Sequence, residues 1–243
     1  MKNRLMIILL ITSSCFAQKT TIFSIGDSTM ASKVNPAENP EHGWVQVLAP
    51  FFNSSIIIDN RAVNGRSTRS FLNENRWDSV CKILKKGDYV FIQFGHNDQK
   101  VEDPKRYTNP HTAYRYNLIK FVMDSRAKGA TPILFSSIVR RNFNENGVLV
   151  DTHGDYPMET RLVAQQYNVP FIDLNYLTEK LEESYGMEES KKLHLHFKAG
   201  ENSYYKQEKN DDTHLSNLGA TEVAKLVIAA LKMSDLDLKK HIK

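Results

Sequence analysis

The stretch Thr21-Ile22-Phe23-Ser24-Ile25-Gly26-Asp27-Ser28-Thr29-Met30 decides how the rest of the chain is read. Residues 21–25 are apolar almost without interruption, and the run then breaks at a glycine. An alternating strand leaves one face wet. A continuous apolar strand has both faces covered, which is the condition of a parallel sheet between two layers of helices. Similar runs recur at 56–60, 89–94, 132–136 and 170–174, so five buried strands are expected.

The segments between these runs carry helical spacing. Trp44, Val47, Leu48 and Phe51 fall on one face, and Tyr114, Leu118, Phe121 and Val122 on another. Leu162, Val163 and Gln166 suggest a third helix, and 218–231 a last one with Val223, Leu226, Val227 and Leu231 along one side. The stretch around Cys81 is also helix-like, and Cys81 reads as a small buried apolar residue. Strand and helix alternate, which predicts an α/β fold: a three-layer α/β/α sandwich around a five-stranded parallel sheet. Two long connections, 137–156 and 187–213, leave the same general end of that sheet, where open α/β folds bind ligands.

The 243 residues suit a single domain over 18–243, preceded by a separate leader over 1–17. Lys2 and Arg4 precede the apolar run 5–11, and small and polar residues lead to Ala17. That order describes a secretory signal peptide cut after Ala17, and its apolar run is too short to span a bilayer. A lipid anchor on Cys15 is the minor alternative, since Thr12 stands where such signals usually carry leucine. A periplasmic or extracellular protein is expected. Losing Lys2 and Arg4 with the leader lowers the formal charge from +4 to +2, a balance that argues against nucleic-acid binding. Cys81 is then the one remaining cysteine, so no internal disulfide can form.

Chemistry-bearing residues gather at the ends of the expected strands. Ser28 follows the first strand, at the base of a crevice if Gly26 permits a sharp turn there. Asn97, in Phe94-Gly95-His96-Asn97-Asp98, follows the third. In a sheet of order 2-1-3-4-5 the first and third strands are neighbours, and their connections leave in opposite directions. Ser28 and Asn97 would then face each other, and an amide donor opposite a serine can stabilise an oxyanion. Gly65, after the second strand, can bring its backbone N–H close to a ligand. Asn210-Asp211-Asp212-Thr213-His214 precedes the last helix. A carboxylate three residues before a histidine can bond Nδ1 within one local turn and leave Nε2 free as a base. Asp211 has that spacing; Asp212 reads as a surface or capping carboxylate.

The order Ser, Gly, Asn, Asp-His resembles the SGNH, or GDSL, hydrolase superfamily from Thr21 to about Leu231. The resemblance implies a flavodoxin-like SGNH fold with Ser28 as nucleophile, His214 as base and Asp211 as its orienting carboxylate. Ser28, Gly65 and Asn97 would form the oxyanion hole. The segments 26–31, 65–68, 95–98, 140–143 and 211–220 are similar to the rhamnogalacturonan acetylesterase branch. That branch implies removal of acetyl groups from a pectic polysaccharide, without metal or organic cofactor and without a membrane span. A lipase or thioesterase of the same fold would need an apolar groove beside Ser28. A catalytically inactive carbohydrate-binding protein is the other alternative.

Arg140 and Arg141 are candidates for pairing with a sugar carboxylate, because a guanidinium forms two parallel bonds to a planar anion. His194-Leu195-His196 has strand-like spacing but no evident third metal ligand beside it. Tyr204 and Tyr205 could stack on a sugar or pack their loop. His96 is given no chemical role.

Overall fold

The computed structural model describes residues 19–243. The leader over 1–17, Cys15 included, lies outside the described residues. Five strands form a parallel sheet in the order β2-β1-β3-β4-β5: β1 Thr20–Gly26, β2 Ile56–Asn60, β3 Tyr89–Gln93, β4 Thr131–Phe135 and β5 Phe171–Ile172. The α/β sandwich expected from the apolar runs is what forms.

Successive side chains of a strand point to opposite faces, and here both faces meet helices. Ile22, Phe91, Ile133 and Phe135 point into one core with Trp44, Leu48, Leu174, Val223 and Val227. Phe23, Val90, Ile92 and Leu134 point into the other, with Phe71, Trp77, Leu118, Phe121 and Val163. Helices α5 (Leu174–Glu189) and α6 (Asn217–Met233) cover the first face. Helices α1 (Thr68–Asn73), α2 (Arg76–Cys81), α3 (Arg115–Ala127) and α4 (Asp155–Gln166) cover the second. Phe121 packs its fully buried ring against Trp77 at 5.1 Å and Phe94 at 5.6 Å between centroids.

Three expectations need correction. Trp44, Val47, Leu48 and Phe51 do not lie on an α-helix. The segment is a chain of three-residue turns, with Gln46 N–H on the Gly43 carbonyl and Leu48 N–H on that of Val45. Trp44 and Leu48 still reach the core, because turns of period three also bring every third or fourth residue inward. Leu162 sits on α4 but is 40% exposed, while Val163 is buried. The fifth strand is only two residues long, because the Asp173 side chain accepts the Tyr176 N–H and starts α5 at once.

The connection 187–213 also holds a two-stranded antiparallel hairpin, β6 (His194–Phe197) and β7 (Lys209–Leu215). β6 alternates as His-Leu-His-Phe, in keeping with the strand-like spacing of His194 and His196, whereas the largely polar β7 carries no such pattern.

The two cores assign different weights to the leucines and aromatics. Phe121→Ala should cost about 3–5 kcal/mol, the usual range for emptying a packed aromatic site. Leu162→Ala should stay within about 0.5 kcal/mol, as for ordinary surface changes. Urea unfolding followed by circular dichroism checks both, and similar losses for the two would contradict the placement of α4.

Candidate active site

The chain turns sharply after β1. The N–H groups of Met30 and Ala31 return to the Asp27 carbonyl, and Asp27 Oδ1 accepts from the Thr29 N–H at 2.9 Å and its hydroxyl at 2.8 Å. Gly26 is required for space, not for an unusual backbone angle. A Cβ there would stand 2.6 Å from the Gln93 carbonyl oxygen and 2.3 Å from Met30 Sδ. Ser28 follows directly, 8% exposed. The buried Lys33 fixes its backbone: Nζ donates to the Ser28 carbonyl at 2.6 Å and to Asn64 Oδ1 at 2.7 Å, and pairs with Glu41 at 2.8 Å.

The hairpin delivers the histidine from the far end of the chain. His214 Nε2 lies 3.0 Å from Ser28 Oγ, and His214 Nδ1 lies 2.9 Å from Asp211 Oδ2. Ladder pairing skips from Leu195 opposite Asp211 to His194 opposite Leu215, so residues 212–214 bulge out of the strand. Inside the bulge Asp211 Oδ1 accepts the N–H groups of Thr213 and His214, both at 3.0 Å. Burial works to raise the Asp211 pKa. The bonds from the His214 ring and backbone, its charge and the Thr213 N–H outweigh burial and hold the carboxylate far below its usual range. Asp211 is therefore ionised whenever His214 takes up a proton.

Asp212 points elsewhere. Its Oδ1 accepts from Arg141 Nη1 at 2.8 Å and sits 2.8 Å from His196 Nε2. Two adjacent carboxylates thus serve two different partners, which the bulge makes possible.

Asn97 is held between two anchors. On one side, His96 Nδ1 lies 3.3 Å from Asp27 Oδ2, in the turn that carries Ser28. On the other, the fully buried Asp98 accepts the Thr68 N–H at 3.0 Å, the Thr68 hydroxyl at 2.5 Å and the Thr108 hydroxyl at 2.6 Å. Burial pushes the Asp98 carboxyl up to about 7, with the threonine donors pulling the other way. Thr68 opens α1 just beyond Gly65, so Asp98 binds the Asn97 and Gly65 loops together. Gly65 has φ +75°, the left-handed region that favours glycine. Asn97 Nδ2 donates to the Arg66 carbonyl at 3.2 Å.

The other sequence candidates divide. Arg141 is 8% exposed, and each of its three nitrogens has an internal partner: the Ser190 hydroxyl, Asp212 and the Met187 carbonyl. It braces the hairpin, which corrects the expectation that it faces a sugar. Arg140 is half-buried and donates to the Thr152 hydroxyl at 3.1 Å. His194 and His196 do not converge. His194 is buried against Glu182 at 2.7 Å and faces the His214 carbonyl at 3.2 Å, whereas His196 turns to Asp212.

Tyr205 packs beside Tyr204 and under the Lys209 ammonium. Partial burial and the nearby charges of Glu41 and Asp211 push its hydroxyl up to about 12. Lys209 in turn lies 3.0 Å from Asp211 Oδ2, so this aromatic pair flanks the histidine side of the site.

Sequence reading missed Lys33, Arg106, His153 and Lys209. The His153 ring meets that of His96 edge to face, 4.6 Å between centroids. None of the four falls in a recognisable motif: Lys33, Arg106 and His153 lie in loops, and Lys209 pairs with Asp211 along β7 at a spacing that signals nothing by itself.

A family model, the GDSL-like Lipase/Acylhydrolase family, matches residues 24–221. A rhamnogalacturonan acetylesterase of Bacillus subtilis (strain 168) is 41% identical over 91% of this chain and 93% of its own length. A rhamnogalacturonan acetylesterase of Emericella nidulans is 30% identical over 98% of this chain and 94% of its own. Among solved structures, YXIM from Bacillus subtilis superposes with a TM-score of 0.75 at 24% identity, covering 90% of this chain and 58% of that longer one. An acetyl xylan esterase from Geobacillus stearothermophilus gives 0.63 at 16% identity, covering 90% and 99%. At such identities these two structures speak for the fold alone.

The two carboxylates make separable demands. Asp211→Asn should cut turnover of nitrophenyl acetate by orders of magnitude and also lower the melting temperature, because a carboxylate held below its usual pKa stabilises the fold at neutral pH. Asp212→Asn should lower the melting temperature, because Arg141 loses its charged partner, and cost far less in turnover. Equal kinetic losses would show that the hairpin is read wrongly.

Proposed function

The chain belongs to the GDSL-like lipase/acylhydrolase family, and from that premise we propose that it is a serine carbohydrate esterase removing O-acetyl groups from a polysaccharide, pectic rhamnogalacturonan in particular. One observation carries the catalytic half of this reading: the unbroken path from Ser28 Oγ to His214 Nε2 and from His214 Nδ1 to Asp211. A hydroxyl is a weak nucleophile until a base can take its proton as it attacks.

In the proposed reaction His214 accepts the Ser28 proton while Oγ attacks the acetyl carbonyl. Asp211, ionised throughout, steadies the imidazolium and fixes its tautomer. The carbonyl oxygen becomes an anion, and the Asn97 amide with the Ser28 and Gly65 N–H groups receives it. The sugar hydroxyl leaves with the proton from His214. Water, deprotonated by the same ring, then releases acetate and frees Ser28.

The substrate half rests on the two acetylesterase relatives and on the site's polar surroundings. Lys33 bonds the Ser28 carbonyl and Asn64, and on the proposed oxyanion side Asn97 bonds the Arg66 carbonyl and accepts from Arg106. An apolar depression does exist, lined by Val169, Phe171, Ile172, Leu177, Leu231 and Leu236, but it holds none of the proposed catalytic residues. The polar groups around the Ser28 turn favour a small acyl group over a long chain. Of the two arginines, Arg140 is the proposed partner for a sugar carboxylate, since it is less buried than Arg141 and its bonds to Thr152 and the His96 carbonyl, at 3.1–3.5 Å, involve no charged group.

Acetate release from a panel of acetylated polysaccharides tests the substrate. Pectic fragments should outrun acetylated xylan, and nitrophenyl acetate should outrun nitrophenyl esters of long acids. Ser28→Ala should abolish all of it, and Asn97→Ala should lower kcat by roughly 100- to 1,000-fold. Preference for xylan would sink the pectic reading and spare the esterase.

A polymer of this kind is met outside the cytoplasm, so we also propose export, with residues 1–17 as the removed leader. Sequencing the N-terminus of protein from its native host should begin at Gln18 or a close neighbour, and an intact Met1 on the working enzyme would refute it. Among the described residues no helix is long and apolar enough to cross a membrane.

A further inference from the structure

Asn97 can serve as an oxyanion donor only if its amide nitrogen, and not its oxygen, is turned to the incoming negative charge. The two ends of an asparagine amide have nearly the same shape, so packing alone does not choose between them. Hydrogen-bond partners must do so. The Arg66 carbonyl takes one Nδ2 hydrogen at 3.2 Å. On the other side, Arg106 Nη1 donates to Asn97 Oδ1 at 3.3 Å.

A guanidinium has donors and no acceptor, and it does not lose its charge. Facing Arg106 with the amide nitrogen would set donor against donor, so the arginine forbids the flipped amide. We propose that Arg106 is a positioning residue for the oxyanion site: it locks the orientation of the Asn97 amide and, by its charge on Oδ1, makes the opposing N–H a stronger donor.

Three further observations support this. Arg106 is itself aimed, since Nε donates to Asp103 Oδ2 and its backbone N–H to the Asp103 carbonyl. Its loop is tied back to the Asn97 loop two residues later, where Thr108 gives its N–H to the Asp98 carbonyl at 2.9 Å and its hydroxyl to the Asp98 carboxylate. And Nη1 lies 4.0 Å from where a Cβ on Gly65 would stand, so one cation borders two of the three proposed donors. An amide N–H held toward a forming oxyanion acts in the transition state more than on the neutral ester.

The inference rests on the esterase reading, which the activity of the unaltered enzyme and its loss in Ser28→Ala test independently. With nitrophenyl acetate, Arg106→Ala should lower kcat about ten-fold and hardly move KM, the pattern of an interaction made in the transition state. Arg106→Lys should recover part of the loss, because an ammonium is also donor-only. Asp103→Asn should produce a smaller loss of the same kind, and it provides a check should Arg106→Ala fold poorly.

The deciding measurement is the double variant. If Arg106 acts through Asn97, adding Arg106→Ala to Asn97→Ala should cost less than about two-fold more, because residues that share one interaction are not additive. Losses that multiply would overturn the proposal. So would an Arg106→Ala enzyme with unchanged kcat on nitrophenyl acetate and a raised KM for acetylated pectic fragments, which would make Arg106 a substrate contact instead.

Discussion

The buried carboxyl of Asp98 holds the crevice together. It takes the N–H and hydroxyl of Thr68 at the start of α1, and the hydroxyl of Thr108 from the loop that carries Arg106. Thr68 Oγ in turn accepts from Asn117 on α3 at 3.0 Å. The connections that follow β2 and β3, together with the start of α3, are thereby pinned to one group. Removing a carboxyl from water is costly unless donors replace the solvent, so the donors and the acid fix each other. Gly65, Asn97 and Arg106 all sit within two or three residues of these anchors, and their mutual geometry follows from them.

The histidine side is built on a different plan. Asp211 and His214 are joined by a local bulge that needs nothing from the rest of the fold. Placing that unit over Ser28 is the task of the hairpin, which Arg141 braces from α5 and the turn after it. His194 adds a second brace, buried between Glu182 of α5 and the His214 carbonyl. The reactive pair is thus short-range in its chemistry and long-range in its aim.

This difference explains what the sequence could disclose. The five strands were legible because burial on both faces leaves an unbroken apolar run, and the switch between β1 and β3 then put Ser28 and Asn97 at one crevice. Asp211 was legible over Asp212 because a three-residue spacing is a local property. The turns around Trp44 were misread because the three-residue spacings 44–47 and 48–51 fit successive tight turns as well as an α-helix. The hairpin was only half legible: β6 alternates as His-Leu-His-Phe, but β7 carries Lys209 and Asp212 for their polar partners and has no apolar pattern. Arg141 looked like a free cation because nothing nearby in sequence reveals that Ser190, Met187 and Asp212 surround it. Lys33 and Arg106 were invisible for a related reason: their spacings to Ser28, Asn64 and Asn97 match no local motif.

The contact between Ser28 and His214 spans 186 residues. Nearly the whole chain must be laid down and packed before it exists, and long-range closures of this kind tend to come late in folding. β1 and the turn after it can be in place while the hairpin and α6 are still detached, and such a species would have most of its sheet and no Ser28–His214 contact, the contact on which the proposed hydrolysis depends. Hydrolysis is then a clock for the final docking event, whereas the far-ultraviolet dichroism of the sheet and earlier helices reports on what precedes it. The two signals should separate in time during refolding, and the interval between them measures how long the C-terminal quarter takes to find its place.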